Sequence, residues 1–313
     1  MDPRDQIPPP GDYVLDHIGF FVPDMEAGAT ALRRLGFFLT PYTAQQHSLG
    51  PGQPLVSAGT GNQLAMFERG YLELLSPFAA GPVADQLRDA MERYVGLHLI
   101  ALGTADAAAD HARVAAAGFA TVPLVHLQRD VETPEGERTA RFSVARVPPG
   151  TMVEGRIQFC QHRTPEVPWQ VRWMSHGNGA RRLTDIVLCV ADPEEAARRY
   201  GRFFDRAPRR LAVGGWSLDL EWGRVVILSR TALVAVLPGI IVPILPFIAA
   251  FAVEVADLAA LRALLAANGV ATLLDTAAAL AAAPMPALGG AAVFLGDADS
   301  APWLEGVRSP TRR

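Results

Sequence analysis

Two histidines stand in apolar company at related places in this 313-residue chain. His17 lies among Leu15, Ile18, Phe20 and Val22, and His98 lies within GLHLIALG. Short runs of strand formers of this kind are read as buried strands. Histidine changes charge near neutral pH and is the commonest metal ligand, yet one alone in an apolar strand is ordinarily a satisfied core residue. Recurrence shifts that reading. Asp24 follows His17 by seven residues, Asp106 follows His98 by eight, and Gly36 and Gly118 each lie twelve beyond their aspartate. An aspartate so placed can cap a helix N-terminus, and the glycine can end that helix in the left-handed conformation.

Other polar side chains fall on the strands that close these two units. NQLAMFE and GYLELLSPF alternate polar and apolar residues around an Arg69-Gly70 turn, which predicts an antiparallel hairpin. Glu73 then points to the opposite face from Leu72 and Leu74. Each unit reads β-α-β-β-β, with Pro82 to Tyr94 as a helix between them. Aligning the closing strands on Gly70 and Gly155 makes Gln158 the mate of Glu73, with Cys160 and His162 on the same face at period two.

The unit recurs twice more. LTDIVLCVADPEEAARRYGRFF puts Asp185 in the histidine's place and Asp192 at the cap, with Val226 where Glu73 stood. FIAAFAVEVADLAALRALLAANGV puts Ala249 in that place, Asp257 at the cap and Gly269 twelve residues on. The expected layout is a first domain over residues 1–164, with modules 13–80 and 95–164, a linker over 165–182, and a second domain without metal ligands over 183–313. The alanine-rich LLDTAAALAAAPMPALGG reads as helix plus loop. Between Arg230 and Glu254 lies a charge-free run long enough to span a membrane. Pro238, Pro243 and Pro246 interrupt it, so it is read instead as two buried strands joined by a proline loop.

Half the residues are apolar, enough for a large core, and the net charge is −4. No basic stripe with interleaved aromatics offers itself to nucleic acid. Arg181-Arg182, Arg209-Arg210 and the tail Arg308, Arg312 and Arg313 read as solvated ends. Cys160 and Cys189 make no disulfide framework, and MDPRDQIPPPGD lacks an apolar signal segment, which together point to the cytoplasm with no membrane partner.

LDHIGFFVPD, GYLELL and GLHLIAL, in this order and register, resemble the vicinal oxygen chelate superfamily, most closely its glyoxalase-like members. The resemblance implies an α+β fold in which four βαβββ modules pair into two domains with curled mixed sheets. It also implies a site in the first domain, with metal ligands His17 and Glu73 from one module and His98 and Gln158 from the other. One divalent ion, Zn, Ni, Mn or Fe(II), would chelate vicinal oxygens of a small oxygenated substrate and stabilise the enolate or oxyanion formed on it. Gln158 cannot take a proton, so enolisation would place the base on Glu73 or His162.

The leading expectation is a metal-dependent lyase or isomerase. The alternatives are an Fe(II) extradiol-type dioxygenase and a metal-free binding or resistance protein. Cys160 reads as a small buried hydrophobe rather than a nucleophile. Arg141 and Arg156 read by default as exposed strand arginines, with anion binding as their other use. The second half is expected to be a structural or dimerising pair, which allows a homodimer.

Overall fold

The computed structural model describes residues 2–48 and 54–304; the turn-rich residues 49–53 and the basic tail Arg308, Arg312 and Arg313 lie outside them. The first module runs β1 (Val14–Phe21), α1 (Met25–Arg34), β2 (Thr43–Ser48), β3 (Leu55–Met66) and β4 (Tyr71–Pro77). After the connecting helix α2 (Pro82–Arg93), the second runs β5 (Gly96–Gly103), α3 (Ala107–Ala116), β6 (Val125–Thr133), β7 (Gly136–Arg146) and β8 (Arg156–His162). Together they close a barrel in the order β1-β4-β3-β2-β6-β7-β8-β5.

The third module comprises β9 (Ala180–Cys189), α4 (Pro193–Phe204), β10 (Arg209–Arg210), β11 (Trp216–Asp219) and β12 (Arg224–Leu228), followed by α5 (Arg230–Val236). The fourth comprises β13 (Phe247–Val255), α6 (Leu258–Ala267), β14 (Thr272–Asp275), β15 (Ala279–Ala282) and β16 (Ala291–Leu295). These strands form an open sheet, β10-β11-β12-β9-β13-β16-β15-β14. The result is an α+β fold of two eight-stranded mixed sheets, one of them closed.

The caps explain why one local plan serves four times. Asp24, Asp106, Asp192 and Asp257 each accept two backbone N–H groups of the first helical turn at 2.8–3.1 Å. Such a cap is worth about 1 kcal/mol and fixes where strand gives way to helix. Gly36, Gly118 and Gly269 take positive φ after three of these helices; Asp205 does so after α4. In every module the first strand then pairs in parallel with the last.

Where β1 meets β5 each strand carries one extra residue, and where β9 meets β13 the latter carries one and β9 two. The register steps over Asp16 in β1, His98 in β5, Arg181 and Thr184 in β9 and Ala249 in β13. These bulges bend the strands and re-aim their side chains.

The barrel's outer surface packs on the second sheet, with Phe20 edge-on to Phe251 at 5.5 Å and Phe37 beside both Phe251 and Phe294. The far face of that sheet is filled by Val187, Val226, Ala249, α5 and Trp303. Asp185, fully buried there, is held by Arg224 at 2.7 Å and by the Trp303 indole at 3.0 Å.

Three segments differ from the sequence reading. Arg230–Val236 is a helix, because the Ser229 hydroxyl caps it by accepting from Ala232 N at 3.1 Å. The proline loop and buried strand that follow agree with expectation, and no helix of the described residues is long and apolar enough to cross a membrane. The alanine-rich stretch forms the β14–β15 hairpin: burial and pairing in the sheet outweigh alanine's poor strand propensity. The tryptophan-bearing segment after β8 is part of the core, since Trp169 packs edge-on to Tyr71 and His162.

Candidate functional site

A cavity of about 380 Å³ occupies the barrel interior, the usual scale of a small-molecule site. His17, Glu73 and Gln158 all line it. In a regular strand Asp16 and His17 would face opposite ways. The bulge at Asp16 brings them together, and His17 Nδ1 donates to Asp16 Oδ2 at 2.5 Å. The His17 ring stacks on Tyr71 at 4.4 Å, and its Nε2 lies 3.9 Å from Glu73 Oε2. Glu73 is fixed through its other oxygen, which accepts from Asn62 Nδ2 at 2.7 Å and Gln45 Nε2 at 3.3 Å.

Below this pair His162 Nε2 donates to Asp16 at 3.0 Å, with Trp169 against its ring. Burial pushes the Asp16 carboxyl up, but His162 and His17 outweigh it and hold the group well below the usual carboxylate range. Burial, with the Asp16 charge beside it, pushes the Cys160 thiol well up, in keeping with a small uncharged side chain. One oxygen, nitrogen or sulfur of each of Asp16, Cys160 and His162 lies within 4.8 Å of the other two, a grouping that could hold a metal ion.

His98 is not brought to the cavity. It is the extra residue of the β5 bulge, so its structural mate is Asp16, not His17. The mate of His17 is Leu99, which pairs with Arg156 as His17 pairs with Tyr71. The physical reason is the single-residue difference in the histidine-to-aspartate spacing, because one step along a strand changes which side chain faces the interior. His98 is instead buried between Tyr94, at 4.1 Å, and Phe21, at 5.3 Å, with Nε2 donating to the Tyr94 carbonyl at 2.7 Å. The implied four-residue ligand set therefore does not assemble.

Burial pushes the His98 imidazole from 6.5 down to about 4. Between these values the unfolded chain takes up a proton that the folded chain refuses, so stability is full above pH 6.5 and falls as the pH drops towards 4. The expected loss between neutrality and pH 4.5 is roughly 2–3 kcal/mol. Urea titrations at the two pH values should show His98→Phe losing less stability on acidification than the parent. An unchanged acid loss would refute this origin.

Sequence reasoning missed several site residues. Asp16 was visible as an acidic residue in an apolar strand beside His17. Tyr71, Asn62 and Gln45 carry no local signal and are found only from the register. Gln158 Oε1 accepts from Arg146 Nε at 3.0 Å. Arg156, half-buried, lines the cavity and donates to Gln86 Oε1 at 2.8 Å, contrary to its default reading as an exposed strand arginine, whereas Arg141 is exposed.

Residues 15–204, more than half of the chain, match the family model described as "Glyoxalase-like domain". No curated protein matches the sequence. Similar solved structures include a hypothetical protein from Staphylococcus aureus, 12% identical with a TM-score of 0.63, covering 90% of this chain and 98% of that one. A variant of 4-hydroxymandelate synthase from Streptomyces coelicolor is 13% identical with a TM-score of 0.56, covering 94% and 97%. A fusion of a xylose isomerase-like TIM barrel with 4-hydroxyphenylpyruvate dioxygenase is 15% identical with a TM-score of 0.54, covering 97% of this chain and 51% of its own. At these identities the likeness is one of fold, and it agrees with the four-module plan derived above. By the match over its first two modules and the start of the third, and by that plan, the chain belongs to the glyoxalase-like domain family within the vicinal oxygen chelate superfamily.

Proposed function

We propose that this protein is a lyase- or isomerase-type enzyme that moves a proton on a small oxygenated molecule held inside the barrel, with His17 as the group that takes and returns it. The observation that carries this reading is the Asp16–His17 hydrogen bond. It places the ring proton on Nδ1 and leaves the Nε2 lone pair facing the cavity beside Glu73. Asp16 stabilises the imidazolium that forms when Nε2 accepts a proton from carbon next to a carbonyl. Glu73 Oε2 is within reach to hold a substrate hydroxyl or pass the proton on. The Arg146 guanidinium can donate to the oxyanion that develops.

A divalent ion fits the cavity donors poorly. Leu99 occupies the place expected for a second histidine, and the Gln158 oxygen is engaged by Arg146, leaving His17 and Glu73. An Fe(II) dioxygenase needs two histidines and a carboxylate, and the same substitution works against it. The metal-dependent form of the reading draws support from the Asp16, Cys160 and His162 grouping at the barrel floor, where the thiol would have to ionise to bind.

The test is hydrogen–deuterium exchange. Chelator-treated protein in D2O, offered a panel of 2-oxo and 2-hydroxy acids, should exchange the C–H next to the carbonyl in at least one of them, as read by proton NMR. Exchange that appears only after Zn, Ni, Mn or Fe(II) is restored would assign the chemistry to an ion. Tight binding without exchange across the panel would make the barrel a sequestering site.

A further inference from the structure

Several arginines with little exposure elsewhere in this protein face carboxylates, while Arg93 donates to the backbone carbonyls of Val153 and Pro246. Arg199 meets Glu154 at 2.7 Å, Arg224 meets Asp185 at 2.7 Å, and Arg113 meets Asp110 at 3.2 Å. Three half-buried arginines that line the barrel cavity form no such pair with any described residue. Arg146 donates to the Gln158 amide oxygen, and Arg156 donates to the Gln86 amide oxygen while lying over the Phe21 ring at 5.5 Å. Arg129 reaches the Asn62 amide oxygen at 3.4 Å and lies over the Phe142 ring at 5.8 Å. Amide oxygens and ring faces orient a guanidinium but do not neutralise it.

Three cationic side chains and one carboxylate, Glu73, therefore share the cavity wall. Two of the cations disfavour each other: burial and the nearby Arg146 charge push Arg156 down to about 9. Unpaired charges held in a partly dry space are costly, and an anion between them converts that cost into attraction. The neighbouring wall is apolar, with Leu75, Leu87 and Leu99 packed together and Val83 against them.

We propose that Arg146 and Arg156, with Arg129, form an oxyanion-binding subsite in the barrel, and that the ligand is a small molecule carrying a carboxylate or phosphate on a short apolar arm. This rests on the barrel interior being the substrate site, as argued above. The planar fork of arginine suits both groups, and Leu75, Leu87 and Leu99 receive the arm.

Calorimetric titration of the full chain with phenylacetate, phenyl phosphate and the neutral phenylacetamide tests it. At least one anion should bind about 10-fold or more tighter than phenylacetamide, and the tighter anion names the preferred group. Arg146→Gln and Arg156→Gln should each weaken the anions by about 10-fold and leave phenylacetamide unchanged. Equal affinity for charged and neutral probes in the parent protein would overturn the proposal without recourse to any variant. So would unchanged anion affinity in a folded Arg146→Gln/Arg156→Gln double variant. His17→Ala should keep anion binding while losing proton exchange, so anion binding without exchange in the parent would defeat the proton-transfer reading alone.

Discussion

His17→Ala should lower the rate of proton exchange by about 10²–10⁴-fold, the range that a positioned general base supplies. Asp16→Asn should cause a loss of similar order, although in the proposed reaction the residue would lie behind His17 and not against substrate. Asparagine keeps the shape but could not stabilise the imidazolium that the proposed transfer forms on His17. It also presents an amide N–H that can turn the ring and put the proton on the wrong nitrogen. Because the two side chains act as one unit through a 2.5 Å hydrogen bond, their losses should not add. The double variant should be about as slow as His17→Ala alone. Additive losses in single-turnover exchange would show that Asp16 acts on the fold and not through His17. Glu73→Gln adds a useful contrast, since its oxygen still accepts from Asn62 and Gln45 while its capacity to pass a proton is gone.

The largest expected effect on stability lies away from the cavity. Glu154, only 1% exposed, is gripped by both terminal nitrogens of Arg199, at 2.7 and 3.0 Å, and accepts from the Tyr200 hydroxyl at 3.2 Å. The pair ties the segment before β8 to α4, and so the barrel to the second sheet. Arg199→Ala would leave a buried carboxylate with one neutral donor, at a cost of about 3–5 kcal/mol. Removing both charges with Glu154→Leu and Arg199→Met should restore much of that, because the desolvated ion goes with its partner. Urea denaturation of the parent, Arg199→Ala and the double variant measures this. A loss below about 1 kcal/mol for Arg199→Ala would mean that water reaches Glu154 when the arginine is gone.

Local chemistry in the sequence determined much of the architecture. An apolar strand, an aspartate cap, a helix and a left-handed stop are each written in a few adjacent residues, so the four modules and their order are legible in the chain by itself, whereas the parallel pairing of first strand with last is seen only in the fold. So are His17, Glu73 and Gln158 as side chains of one interior. The bulges are not. They arise where two twisted strands must fit side by side, and whether a given residue is paired or stepped over depends on the opposite strand. That single contingency set His98 against Tyr94 and Phe21, put Leu99 in the cavity wall, and turned Asp16 from a neighbour in sequence into the partner of both His17 and His162. Closure of the barrel likewise drew Arg129, Arg146 and Arg156 from three strands onto one space. Side chains scattered over that much chain carry no local signal, because what they share is a direction across the barrel, and only tertiary packing supplies it.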